Sequence, residues 1–215
     1  MLKLSLSKLE NARVNPVLIA QSLAQEAKNS GGSQGFASTF KVGVRDYHEN
    51  DVLFEKARKN LDHRLWTSFK DSPENNKRRA MYCESFADYA QQFNSLGFKI
   101  DTFQINLDWE IIPQAKLTGH SPFLCSTNDY NVAYYFNEHG KEWRNELKYP
   151  LLQIYLADRY FHCDVGNIKI GIYNISNKKF DLHTYEDFEL DNAIEEGKYI
   201  FKNVLSEYNR IIPRK

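Results

Sequence analysis

The chain has 215 residues, 42% of them hydrophobic and 14% aromatic, with 28 basic residues balanced by 28 acidic ones. That apolar content suffices for a packed core and argues against a disordered chain. Zero net charge excludes a molecule-wide basic field, so a nucleic-acid partner has to meet a local cluster of Lys and Arg.

The three cysteines, Cys83, Cys125 and Cys163, lie far apart, which argues against a disulfide framework and against a CxxC-type zinc site. No stretch approaches the ~18 consecutive apolar residues of a membrane span, and the opening residues lack the apolar run of a signal peptide. The expectation is one cytoplasmic domain over residues 1–215, mainly helical over 1–97 and α/β over 98–215.

In chain order, Asn15 followed by Pro16 marks a helix start, because proline at the first helical position forfeits no hydrogen bond. This helix is expected to run to about Lys28. Gly31-Gly32-Ser33-Gln34-Gly35 then reads as a loop between helical and extended segments. A second helix opens at Asn50 or Asp51, with Phe54, Ala57, Leu61 and Leu65 on one face and a basic stripe of Lys56, Lys59 and His63 on another. A third starts at Ser72-Pro73-Glu74, runs through Phe86, Tyr89 and Phe93, and ends at Gly97.

The period then changes to two. Phe103, Ile105, Leu107, Trp109 and Ile111 alternate with polar residues, predicting a strand with one buried face. Two further strands fit Leu117–Cys125 and Asn131–Phe136. A helix near Pro150 follows, then strands over Ile168–Tyr173 and Phe180–Tyr185. A last helix covers about Leu190 to Tyr208. Consecutive strands, a crossover helix and another strand imply a mixed central sheet flanked by helices.

Four stretches carry a resemblance. They are Leu4-Ser5-Leu6-Ser7-Lys8-Leu9, Val42 to Glu49 with its Gly43 and His48, Leu117-Thr118-Gly119-His120-Ser121-Pro122-Phe123, and Leu151-Leu152-Gln153-Ile154-Tyr155. Together with an α-β-β-β-α-β order they resemble the RecB-like branch of the PD-(D/E)XK nuclease superfamily. The fits are imperfect: one extra residue separates Gly43 from His48, and Gln153 and Tyr155 stand closer than in the family's Gln-x-x-x-Tyr pattern. The resemblance implies a restriction-endonuclease-like core and Mg²⁺ held by oxygen ligands.

Carried over, however, the family's aspartate falls on Pro122, and its (D/E)-x-K falls on Tyr134-Tyr135-Phe136. Only His48 remains as a ligand-like residue, and one imidazole does not hold Mg²⁺. The resemblance thus implies a degenerate nuclease, with no metal and no cofactor, that binds DNA or another nucleic acid or serves a protein partner.

An alternative keeps Mg²⁺ and nuclease activity through relocated carboxylates. Glu146-Leu147-Lys148 matches (D/E)-x-K literally, with Asp129 or Glu138 in support, although Glu146 and Lys148 stand at a helix entry where carboxylates are commonplace. Asp108 and Glu110 point the same way from one strand. A third reading is a protein-interaction subunit without nucleic-acid contact.

The nucleic-acid-contact candidates are His48, Lys56, Lys59, Lys77, Arg78, Arg79, His120, Gln153 and Tyr155, each also readable as ordinary surface or core. Trp143-Arg144 reads either as a partner-binding hot spot or as a Trp folded back onto the sheet.

Overall fold

A computed structural model describes residues 1–25, 35–49, 53–140 and 142–212. The loop expected at Gly31–Gln34 and the helix start at Asn50 or Asp51 lie outside these residues.

The first element is a short strand, β1 (Leu2–Ser5), followed directly by α1 (Leu6–Val14) and α2 (Pro16–Gln25). Asn15 joins the two helices, and its side-chain oxygen accepts the Leu18 amide at 3.0 Å, the capping role expected of it. The extended segment expected after Gly35 is instead a helix, α3 (Phe36–Glu49), because Phe36, Phe40 and Val44 recur every four residues and are buried together. α4 (Phe54–Ser68) buries Ala57, Leu61 and Leu65 as predicted. α5 (Pro73–Ser95) begins at Ser72, whose side chain accepts the Asn75 amide, and Gly97 follows its end at φ +67°.

The strands are β2 (Lys99–Thr102), β3 (Asn106–Ile112), β4 (Ala115–His120), β5 (Phe123–Ser126), β6 (Asn131–Asn137), β7 (Ile168–Asn174) and β8 (Lys179–His183). Helix α6 (Lys148–Leu156) connects β6 to its parallel neighbour β7, and α7 (Asp187–Ile211) closes the chain behind a Glu186/Glu189 capping box. The architecture is mixed α/β, in two mixed sheets of order β1-β4-β3 and β2-β5-β6-β7-β8.

One strand precedes the helices of the first 97 residues: β1 pairs in parallel with β4 and adds its Leu2 and Leu4 to the core. One expectation is corrected here. The continuous strand expected from Leu117 to Cys125 is broken at Ser121-Pro122. Proline has no amide to donate to a ladder. The neighbouring Ser121 takes over, its amide donating to the Ile105 carbonyl at 3.0 Å and its hydroxyl accepting the Ile105 amide at 2.9 Å. The break passes the chain from one sheet to the other.

The larger sheet has two chemically different faces. Leu124, Ala133, Ile168, Ile170 and Ile172 join α6 and α7 in one core. Phe123, Cys125, Val132, Tyr134 and Tyr173 face α3, α4 and α5 in a second, aromatic one. The alternation along β5 and β6 is the two-residue period of a strand.

Candidate functional site

The positions to which the resemblance assigns metal ligands lie where β5 meets β6. Phe123 is registered opposite Tyr134, so Pro122 stands at the mouth of the same strand pair. Pro122 and Tyr134 are buried and Phe136 is half-buried. The rings of Phe123, Tyr134 and Phe136 pack edge-to-face with centroids 5.1–5.8 Å apart. Phe40, Tyr89, Tyr173 and Phe180 extend the cluster.

His48 reaches this cluster from α3. Its Nε2 lies 2.9 Å from the Tyr89 hydroxyl, which lies 2.8 Å from the Tyr134 hydroxyl. Burial pushes the imidazole's pKa down to about 4, because the charged form loses hydration that nothing replaces. Burial likewise drives the Tyr89 and Tyr134 hydroxyls far above the ordinary phenol range. The three groups form a neutral hydrogen-bonded chain inside an aromatic core. Mg²⁺ asks for several oxygen ligands; Pro122 and Phe136 offer no donor atom and Tyr134 a protonated one, so the residues do not fit that ion.

The relocated carboxylates are engaged elsewhere. Asp108 pairs with Lys116 at 2.7 Å across β3 and β4, where Glu110 also stands opposite Lys116. Glu146 pairs with Lys148 at 2.5 Å at the entry to α6. Glu138 accepts a two-pronged contact from Arg78 and the Tyr82 hydroxyl. Among the described residues, no three His, Cys, Asp or Glu side chains gather as a metal site would need.

The expected nucleic-acid contacts divide. Lys56, Lys59, His63 and Lys77 are exposed on α4 and α5, and His120 is exposed at the end of β4. Four others are engaged within the chain. Gln153 is fully buried, with its amide donating to the carbonyls of Val165 and Tyr185 and accepting the Tyr185 amide. Arg79 is 8% exposed, its guanidinium 3.8 Å from the Trp66 ring centroid. Arg78 is held by Glu138, and His48 by Tyr89. Tyr155 is half-buried against Trp109, at 5.8 Å between ring centroids. Trp143 is the folded-back Trp, 1% exposed, with its indole N–H donating to Asp181 at 2.7 Å.

A polar feature absent from those expectations adjoins the aromatic cluster. Lys41 and Arg45 project from α3 towards the Thr102–Gln104 segment, and the Lys41 ammonium lies 5.6 Å from the Phe123 ring centroid. Gln104 connects Lys41, at 3.4 Å, with His120, at 3.2 Å. The four-residue spacing of Lys41 and Arg45 places both on one face of α3.

The chain matches no protein-family model and no curated protein.

Proposed function

We propose that the chain is a PD-(D/E)XK nuclease-like protein without nuclease chemistry, serving as a nucleic-acid-binding or accessory subunit. The observation that carries this reading is the strand pair around Phe123 and Tyr134. Where the resemblance calls for carboxylates and a lysine, the side chains are Pro122, Tyr134 and Phe136, closed into an aromatic core. The order α5, then the strands β2 to β6, then α6 and β7 keeps a helix, a run of strands, a crossover helix and a further strand parallel to β6, which supports the frame in outline.

Catalysis by such a frame requires a metal to polarise the phosphate and activate water. The engagement of Asp108 with Lys116 and of Glu146 with Lys148 argues against a second ligand set. A subunit that contacts only protein is the second reading, favoured by the engagement of Arg78 with Glu138 and by the burial of Arg79 against Trp66.

The test is incubation of the protein with labelled DNA and RNA in Mg²⁺ or Mn²⁺, beside a gel-shift titration over salt. No cleavage, together with an affinity that falls as salt rises, is the expected outcome. Cleavage that disappears on Asp108→Ala or Glu146→Ala would overturn the non-catalytic reading. Absence of any shift at low salt would leave the protein-contact reading in its place.

A further inference from the structure

A cleft of about 410 Å³ separates α3 from the segment joining β2 to β3, a volume in the range of small-ligand sites, ~300–1,000 Å³. Lys41, Arg45 and Glu49 form its helical wall, and Phe103 and Gln104 face them. The charges are uneven. Arg45 pairs with Glu49 at 3.4 Å, whereas Lys41 has only the neutral Gln104 oxygen and no carboxylate partner among the described residues. Lys41 is also half-buried over the Phe123 ring. Burial, and then the neighbouring Arg45 cation, lower its proton affinity. A partly desolvated cation beside a second cation is relieved by an anion.

We propose that this cleft binds the phosphate group of a nucleotide. Lys41 and Arg45 neutralise the phosphate. Gln104 positions Lys41, and the half-buried Phe103 ring offers apolar surface to the adjoining sugar or base. The choice of a nucleotide over other phosphates rests on the nuclease-like reading above. The phosphate is carried either by a single strand or by a free nucleotide.

The experiment is fluorescence anisotropy of the full chain with a labelled twelve-residue oligothymidylate, competed by AMP, by inorganic phosphate and by the duplex form. The variants are Lys41→Gln, Arg45→Gln and Lys41→Arg, each checked for folding by its thermal midpoint. Removing the Lys41 charge is expected to weaken binding by about tenfold or more, since a hydrogen bond to a charged group contributes ~1.5–3 kcal/mol and 1.4 kcal/mol is tenfold. It should also flatten the log-affinity against log-salt slope by about 0.7, one phosphate contact on a single strand. Lys41→Arg should restore most of the affinity.

Equal competition by AMP identifies a free nucleotide as the source, whereas AMP and phosphate that fail to compete identify the strand. If wild-type protein binds neither oligonucleotide nor nucleotide, or if folded Lys41→Gln and Arg45→Gln bind as wild type does, the cleft is not a phosphate site. Metal-dependent cleavage with binding still sensitive to Lys41 would remove the non-catalytic reading and leave the cleft intact.

Discussion

Replacing Gln153 by leucine separates an interior clamp from a nucleic-acid contact. Leucine nearly fills the volume of glutamine but makes no hydrogen bond. The variant would strand the Val165 and Tyr185 carbonyls and the Tyr185 amide, now held at 3.1, 3.2 and 2.9 Å. A buried polar group left without a partner costs ~1–3 kcal/mol, so three of them imply roughly 3 kcal/mol or more. For a chain of this size that corresponds to a drop in Tm of about 6–12 °C. Urea denaturation followed by circular dichroism measures the loss, and anisotropy with an oligonucleotide reports binding of the folded variant. Unchanged stability combined with weakened nucleic-acid affinity would refute the argument, because it would require the amide to face a ligand rather than the chain's own backbone.

His48 makes stability pH-dependent. Its pKa is depressed to about 4 in the folded protein against an unfolded value near 6.5, so its contribution is fully present above pH 6.5 and is lost as pH falls towards 4. The denaturation midpoint should decline across that window, and His48→Gln should flatten the decline. Phe123→Ala removes a ring only 1% exposed at the centre of the aromatic core and should cost about 3–5 kcal/mol in chemical denaturation, with Asp108→Ala within ~0.5 kcal/mol as the surface control. Arg79→Ala should lower stability by about 1–2 kcal/mol through the lost Trp66 contact while leaving the salt dependence of nucleic-acid binding unchanged. A changed salt slope for Arg79→Ala would mean that its guanidinium meets phosphate after all.

The elements easiest to read in the sequence were those whose signals agree over several turns or alternations. Ser72-Pro73 opened α5, and Leu107, Trp109 and Ile111 marked β3 before any tertiary contact was known. β1 escaped notice because Leu2 and Leu4 supply only one alternation, and the strand exists through its parallel pairing with β4, more than a hundred residues away. The break at Pro122 was legible in principle, since proline cannot sit inside a ladder, but it takes the Ser121–Ile105 contacts to show that the chain there changes sheets. The basic run Lys77-Arg78-Arg79 looked uniform. Successive residues on a helix point 100° apart, so Lys77 faces solvent, Arg78 meets Glu138 and Arg79 turns under Trp66. Charge counting along the sequence does not see that division.

The same geometry explains why the aromatic cluster and the cationic cleft can be neighbours without conflict. Phe123 is shared between them. Its ring packs edge-to-face against Tyr134 and Phe136, and the Lys41 ammonium lies 5.6 Å from its centroid. A carboxylate at the position of Pro122 or Tyr134 would be buried among aromatic rings, at a cost that only a bound cation or a paired base could offset. The present residues avoid that cost and let β5, β6 and α5 close tightly through the Tyr89–Tyr134 hydroxyl contact. Positive charge is left at the rim rather than inside, where it can meet a ligand's phosphate without a metal between them. Under the proposed reading such a frame would hold an anion by preorganised cations, with Pro122, Tyr134 and Phe136 offering no ionised group to act on it.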